Sequence, residues 1–330
     1  MRVLVVSNMA PDAAFLGRGG FVRDQVRALR SLGVEIELLE FPPGARHYPT
    51  AVRAIRMLRR RERFDLVHAH YGLAGCLAKL AGARPLIVTF HGTDVRHRLT
   101  GLLTRRLLSR IDLAAPVSRA LLEPEQGRPG ISPPGERTAI LPCGANLERF
   151  TPRLRAAART RLGLDPDGRY LLFPAAVERK VKRFDRAEAL ASATGAELLS
   201  GPLIQTPTMP DWIAAANAVV VPSDNEGFGL VAAEALACNV PVLSTPVGIA
   251  PILLAGIDGC LVAPFDVAVW SDAVRPHLES ADPQISGRHR AEWVSAELLG
   301  ARVFVAYREL LARASEGGSD GETDASEHLP

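Results

Sequence analysis

Two carboxylates eight residues apart, Glu226 and Glu234, bracket a glycine turn, Gly227-Phe228-Gly229, within the stretch Asn217 to Val247. Ahead of them, Ala218 to Pro222 is a short apolar, β-branched run that reads as a buried parallel strand ending in a turn at Ser223 and Asp224. Leu230 to Ala237 are strong helix formers, and Val240 to Ser244 is the next strand. A strand, a glycine turn and a helix in that order bring unpaired backbone N–H groups and the positive end of a helix to the carboxyl edge of a sheet, where phosphate binds readily. The two glutamates lie roughly two turns apart at about 3.6 residues per turn, so both can face one cleft. Such a spacing alone usually means two solvated carboxylates. Here Glu234 sits among Ala232, Ala233, Ala235 and Leu236, where a carboxylate has little reason to be unless it meets a ligand.

The segment SDNEGFGLVAAEALACNVPVLSTPVG resembles the nucleotide-sugar segment of glycosyltransferase family 4, with its E-x7-E pattern. The resemblance implies that Glu226 contacts the hydroxyls of a donor sugar and that Glu234 binds ribose hydroxyls. It implies that the amides of Gly227, Phe228, Gly229 and Leu230 touch sugar and diphosphate. Upstream, the run Tyr170 to Pro174 reads as a strand and is followed by AAVERKVKRFDRAEAL, whose Arg179, Lys180, Lys182 and Arg183 form either a diphosphate clamp or a solvated turn. The family places an arginine at this strand end and a lysine five residues later. Lys182 matches the lysine, whereas counting back five gives Val177, so Arg179 is a substitute and not a match.

A second group of polar residues lies in FDLVHAHYG and TFHGTD. His68 and His70, two apart on a strand, share one face, and with His91, Asp94 and His97 they admit a metal-site reading. Nothing supplies the rest of a metallohydrolase pattern. By resemblance the histidine of the H-G-x-D segment, here His91 with Gly92 and Asp94, lies at the cleft floor near the transferred sugar. The loop Ala10 to Gly20 ends in Gly-Arg-Gly-Gly, and Glu40 at the end of the second strand could serve a ribose. The dinucleotide fingerprint fails on spacing, because the third glycine position after Gly17 and Gly19 is Val22. The bland reading is a flexible loop before a helix; by resemblance Gly19 and Gly20 approach the donor diphosphate.

The elements that would hold these residues alternate along 330 residues, enough for two domains of ordinary size. Short apolar strands at Val3–Ser7, Val34–Leu39, Leu66–His70, Leu86–Phe90, Leu113–Val117 and Thr138–Leu141 alternate with helical patterns, which argues a parallel sheet covered on both faces. Glu123 to Glu136 reads as a surface loop. The segment TAILPCGANLERFTP resembles the family's crossover between domains, with Cys143 in place of the usual asparagine. Ala196 to Trp212 holds one strand and a proline-rich loop. The end, Glu292 to Ala312, reads as helix with Trp293, Leu298, Val303, Phe304, Tyr307 and Leu310 on its apolar sides.

Composition excludes several classes. The formal charge of +3 is small, and 47% hydrophobic residues fit a soluble α/β enzyme. Four separated cysteines with no C-x-x-C pair fit reduced thiols in the cytoplasm. The N-terminal apolar run is too short for a signal core or a membrane span. Arg53 to Arg63 carries six arginines against Glu62. That pattern is either a solvated helix face or a peripheral contact with the anionic inner face of a membrane, an option that the arginine-rich Arg96 to Arg110 shares. Nucleic acid is not expected, since no aromatic residues interleave the charges.

The expected architecture is therefore α/β with two facing Rossmann-like doubly wound domains, the GT-B arrangement. Residues 1–150 form an acceptor-side domain and residues 151–290 a nucleotide-sugar domain. Residues 291–312 form a helix packing back on the first domain, and 313–330 a disordered acidic tail. The expected activity is retaining transfer of a hexose from a nucleotide-sugar to a hydroxyl, with no metal or other cofactor. His91, Lys182 and Glu226 act at the reacting sugar and diphosphate. Loops Ala10 to Gly20, Arg46 to Pro49 and Thr93 to Thr100, rich in arginine and histidine, point to a polar or anionic glycan or lipid-linked acceptor. The rivals are an inactive relic that binds a nucleotide-sugar or a partner, and a nicotinamide dehydrogenase, disfavoured by the failed glycine spacing.

Overall fold

The computed structural model describes residues 1–11, 17–124, 130–133, 137–201, 208–282 and 284–319. Parts of the expected loops at 10–20 and 123–136, and the tail from 320 onward, lie outside the described residues. Two compact units are present. One comprises Met1–Ala10, Val26–Pro142 and Gly300–Pro330, and the other Pro11–Gln25 and Cys143–Leu299.

The first unit is built on five strands, β1 (Arg2–Ser7), β2 (Glu35–Glu40), β3 (Leu66–His70), β4 (Leu86–Phe90) and β5 (Leu113–Pro116). They are connected through α1 (Gly20–Ser31), α2 (Tyr48–Arg61), α3 (Gly72–Leu80), α4 (Thr93–Arg96) and α5 (Arg98–Leu108). All ladder pairs are parallel, in the order β2-β1-β3-β4-β5. Parallel strands covered on both faces need continuous apolar runs, and Val3 to Val6 and Leu86 to Val88 are buried throughout. On one side of the sheet Leu4, Val6, Val67, Ala69 and Val88 pack against Ala51, Val52 and Ile55 of α2, Ala74 and Ala78 of α3 and Leu107 and Leu108 of α5. The expected strand at Thr138–Leu141 contributes only an isolated bridge, Ala114 to Thr138, and a bond from Leu141 N to Pro116 O. Pro142 follows at once and has no N–H to extend the ladder.

The second unit repeats the plan with β6 (Tyr170–Leu172), β7 (Glu197–Leu199), β8 (Ala218–Val221), β9 (Val242–Ser244) and β10 (Leu261–Val262). Its helices are α6 (Arg155–Leu162), α7 (Phe184–Thr194), α8 (Met209–Ala215), α9 (Leu230–Ala237), α10 (Ala250–Leu253), α11 (Val267–Glu279) and α12 (Arg288–Ala291). The parallel order is β10-β9-β8-β6-β7. In each sheet the first strand of the unit lies between its second and third, so each is doubly wound, with a switch point beside that first strand.

A long helix, α13 (Ala296–Ser319), closes the described chain. It continues past residue 312, where the sequence reading ended it, because Arg313, Ala314 and Glu316 are good helix formers. Val303 and Tyr307 are buried, as their spacing implies, but Trp293 and Leu298 are not on the apolar side and are largely exposed. Trp293 belongs to a separate helical turn and lies under the Arg290 guanidinium, 4.4 Å from its ring centre. Gly300 lets α13 approach α1, since a Cβ there would stand 2.8 Å from Ala28 Cβ.

Tyr307 also completes a buried polar network of the first unit. Its hydroxyl is 2.6 Å from His68 Nδ1, and His68 Nε2 is 2.7 Å from Thr89 Oγ1. Tyr307→Phe leaves a fully buried ring nitrogen without a partner and should cost about 1–3 kcal/mol of stability. Urea denaturation measures this; an unchanged midpoint would show that the network contributes nothing to folding.

Candidate active site

The second unit's switch point lies between β6 and β8, where successive loops leave in opposite directions and open a crevice at the carboxyl edge. Asn217 fixes the entry to β8: its Oδ1 accepts from Tyr170 N and from Arg159 Nη2, each at 2.9 Å, and its Nδ2 donates to His277 O at 2.8 Å. The loop after β6 carries Lys182 and the loop after β8 carries Glu226. They are joined by the backbone bond from Asp224 N to Val181 O (2.9 Å) and by an ion pair, Lys182 Nζ to Glu226 Oε2, at 2.5 Å. Both side chains are mostly buried, at 13% and 12% exposure. Glu226 Oε1 also accepts from Ser223 Oγ (2.8 Å), and Ser223 O in turn accepts from Thr245 Oγ1 (2.5 Å) at the end of β9.

The remaining basic residues of this loop separate into two kinds. Arg183 is spoken for by Asp185 and Asp224, at 2.7 and 3.2 Å, and Arg186 holds Asp224 and Pro222 O, both at 2.9 Å. Arg179 is exposed, with no ion pair among the described residues. Val177, at the register position five before Lys182, is partly buried against the core formed by Phe173, Leu190 and Trp270. Lys180 is exposed like Arg179, and Lys182 is the basic residue of this loop that is largely withdrawn from water against Glu226.

Beyond Glu226 the chain turns through Gly227 and Phe228 to Gly229, which sits at φ +88 and starts α9. No side chain caps α9, so its first amides remain donors at the positive helix end. The turn is held from the other side by Ile249 N donating to Phe228 O at 2.7 Å. At the far end of α9, Arg288 Nη1 donates to Ala237 O and Phe150 O, both at 2.8 Å, which occupies an otherwise unpaired helix carbonyl.

Glu234, half-buried on α9, has its carboxyl pushed up to about 7 by burial; Arg149 pulls the other way and Asp24 adds to the rise. Asp24 and Arg149 form an ion pair at 3.0 Å, and Asp24 also accepts from Asn146 Nδ2 at 2.7 Å. The sequence reading did not single out Asp24, Asn146, Arg149, Ser223 or Thr245. The only available signal was that Asn146 and Arg149 lie in the crossover segment and Asp24 four residues after Gly20. Gly19 has φ +72, and Gly20 opens α1 with nothing within 4 Å of a Cβ built on it, so packing alone does not require a glycine there.

In the first unit His70 and His91 sit at the carboxyl ends of β3 and β4. His70 Nδ1 lies 3.2 Å from His91 Nε2, and Tyr71 stacks on His91 with ring centres 4.4 Å apart. Burial holds His68 and His91 down at about 3 and lowers His70 well below its ordinary value, so all three are neutral near pH 7. His70 Nε2 is buried with no hydrogen-bond partner among the described residues. One neutral ring donates to the other across the His70 Nδ1–His91 Nε2 contact, which couples the tautomers of the two imidazoles. Asp94 accepts from the amides of Gly72 (2.9 Å), His91 (3.0 Å) and Gly92 (2.9 Å), which fixes the His-Gly-Thr-Asp turn; burial raises its carboxyl to about 6 while these amides oppose the rise. The five-residue metal reading does not assemble: both His68 nitrogens are engaged, Asp94 is engaged by amides, and His97 is exposed.

Glycosyltransferase Family 4 matches residues 2–149, and Glycosyl transferases group 1 matches residues 176–280. A D-inositol 3-phosphate glycosyltransferase of Thermobispora bispora is 30% identical over 316 residues, covering 76% of this chain and 72% of the relative. The chain belongs to glycosyltransferase family 4. The corresponding protein of Pseudarthrobacter chlorophenolicus is 30% identical, with 70% of this chain and 66% of that protein covered. Among solved structures, sucrose-phosphate synthase from Thermosynechococcus elongatus superposes with a TM-score of 0.70 at 20% identity, covering 95% of this chain and 100% of that one. Anabaena HepE in complex with UDP and glucose gives 0.67 at 16% identity, covering 93% and 99%. The fold is that of the GT-B glycosyltransferases, and the protein is a glycosyltransferase; its family membership does not favour an inactive relic.

The glycine turn yields a test of its own. Gly248 has φ +56, and a Cβ there would stand 2.4 Å from the Phe228 carbonyl oxygen. Gly248→Ala should destabilise by more than Gly163→Ala, a position with φ +68 and nothing within 4 Å, by about 1–3 kcal/mol. Equal unfolding midpoints for the two variants would show that the turn yields without cost.

Proposed function

We propose that this transferase moves a hexose from a nucleotide-sugar to a hydroxyl acceptor with retention of anomeric configuration, and that no resident metal is needed. The observation that carries the reading is the Lys182–Glu226 ion pair beside the uncapped start of α9. In the free protein each charge serves as the other's counterion. A bound donor would divide them, its diphosphate taking Lys182 and the α9 amides while its sugar hydroxyls take Glu226. Gly227, Phe228, Gly229 and Leu230 supply backbone to the same ligand, Glu234 receives the ribose hydroxyls, and Gly19 and Gly20 give the backbone room to approach the diphosphate. The complexes of HepE with UDP and with UDP-glucose support a donor of this kind.

The bond from the anomeric carbon to the phosphate oxygen breaks with its electron pair leaving on the diphosphate. That charge needs fixed positive partners, which Lys182 and the helix amides provide. The acceptor hydroxyl forms the new bond from the same face and gives its proton to a departing phosphate oxygen. Neutral His91, locked by His70, Tyr71 and Asp94, orients the sugar through ring or backbone and cannot act as a charged acid near pH 7. Arg179, exposed on the same loop, is a secondary contact. The acceptor is a polar or anionic glycan or lipid-linked molecule, in keeping with relatives named for inositol 3-phosphate; nucleic acid is not a substrate. Cytoplasmic residence is supported by four free thiols, and no helix of the described residues is long and apolar enough to cross a membrane.

The deciding experiment offers a panel of nucleotide-sugars and follows both thermal stabilisation and donor hydrolysis. Lys182→Ala should lower turnover more than donor affinity, since its charge matters most as the diphosphate departs. Binding without turnover by the wild-type protein across many acceptors would overturn the proposal.

The raised carboxyl of Glu234 sets a pH dependence. Ribose hydroxyls donate to the carboxylate, so affinity for a nucleotide-sugar should be level above about pH 7 and fall by up to about tenfold per unit below it, until the lower bound-state value is reached. The diphosphate diester of UDP-glucose does not itself titrate in this range, which makes it the suitable probe. Glu234→Gln should bind more weakly and without that slope. A wild-type affinity unchanged between about pH 5.5 and 8 would remove Glu234 from the ribose site.

A further inference from the structure

Helix α13 carries a second apolar side, turned away from its own unit. Val303, Ala306 and Tyr307 face inward and are buried, whereas Val305 is 52% exposed. Counted from Val305, Ala301 and Arg302 stand at i−4 and i−3 and Glu309 and Ala312 at i+4 and i+7, which sets them on one face with it. Arg302, Glu309 and Ala312 are exposed. On one flank exposed Leu32 and half-buried Phe304 and Leu311 line a groove with Met1, between the end of α1 and α13.

The far end of this helix is little supported. Every residue from Ala312 to Glu316 is exposed, more than one turn at about 3.6 residues per turn. A helical segment without packing relies on propensity alone and is marginal in water. Two charges on the outer face are also unanswered. Arg302 and Glu309 have no ion-pair partner among the described residues. They do not reach each other across about 10 Å of helix.

We propose that this face pairs with the same face of a second copy, the two α13 helices running antiparallel about a two-fold axis beside Val305. A two-fold contact sets one patch against itself, so the patch must complement its own image. With the axis between Val305 and Ala306, Arg302 lies about 5 Å to one side and Glu309 about 5 Å to the other, at about 1.5 Å per residue. Seven residues apart, they share one flank of the apolar stripe. Each Arg302 therefore meets the second copy's Glu309, once on either side of the axis, while Val305 meets Val305. The small Ala301 and Ala312 let the helices approach closely. Arg308, on the other flank, keeps its head in water with its stem along the groove. A polyanion fits this face poorly, because it would meet Glu309 and Glu316. An unrelated partner must bring a matching pair of charges; a second copy brings them by symmetry.

The pairing does not rest on the transfer reaction, and its test uses neither donor nor acceptor. Sedimentation equilibrium of the full chain from about 1 to about 100 μM should show a monomer–dimer equilibrium. Val305→Lys should weaken it about tenfold or more, since two like charges then meet at the centre. Arg302→Glu alone and Glu309→Arg alone should each weaken it about tenfold, by setting like charges against each other. The double variant, Arg302→Glu with Glu309→Arg, should recover the wild-type constant, because exchanging the two charges restores both pairs. These side chains are exposed, so circular dichroism should show every variant folded, and recovery in the double variant is not an effect of misfolding. A monomer at every concentration would overturn the proposal. So would a dimer that Val305→Lys leaves intact, which would place the contact elsewhere, or a double variant no tighter than the single ones, which would remove the antiparallel register.

Discussion

The divergence of two loops at the β6/β8 switch point is the constraint on which the proposed donor site depends. A parallel sheet sends every strand's carboxyl end to one edge, and only where the winding reverses do adjacent loops part rather than cover each other. Lys182 and Glu226 occupy the two sides of that parting and close it with an ion pair. Such a pair, largely withdrawn from water, is weak evidence of a stabilising device, because desolvation offsets most of the attraction. Its placement beside uncapped amides makes better sense as charge held ready for a ligand, with each member able to exchange its partner for one of opposite character on the donor.

The supports around this pair are backbone devices with little freedom. Thr245 reaches from β9 to Ser223 O, Ile249 N holds Phe228 O, and Gly248 is the residue that permits their approach. Preorganisation of this kind matters for a leaving diphosphate, since donors that are already aimed need not reorganise as charge develops. The first unit achieves rigidity differently. His68, His70 and His91 are neutral and stacked, the first two fully buried and His91 partly so, and Asp94 ties the following turn to the start of α3 through three amides.

What could be read from the sequence was whatever its local pattern contains. β3, β4 and α9 stand where apolar runs and helix formers placed them, and the glycine turn before α9 follows from Gly229 needing positive φ. The pairing of Lys182 with Glu226 spans 44 residues, and that of His68 with Tyr307 spans 239. No periodicity encodes either contact; the winding of the sheets brings them together. The same limit hid Asp24 and Arg149, whose influence on Glu234 comes from separate parts of the chain. Local pattern also misled at Trp293 and Leu298, where helical spacing predicted an apolar side but a short turn ahead of α13 rotates the tryptophan outward.

Both units share one topology, and the difference between their edges is chemical. In the first, uncharged imidazoles and an amide-bound carboxyl line the strand ends; in the second, a lysine, two glutamates and open amides do. Fixed positive charge and open amides at the second edge suit an anionic group, whereas neutral groups such as those at the first can orient a hydroxyl without the desolvation that a charge would impose. Burial is what enforces this division, lowering the histidines at one edge and raising Glu234 at the other. The chemical difference between two copies of one topology thus follows from which side chains each sheet carries at its carboxyl edge, not from any difference in how the sheets are wound.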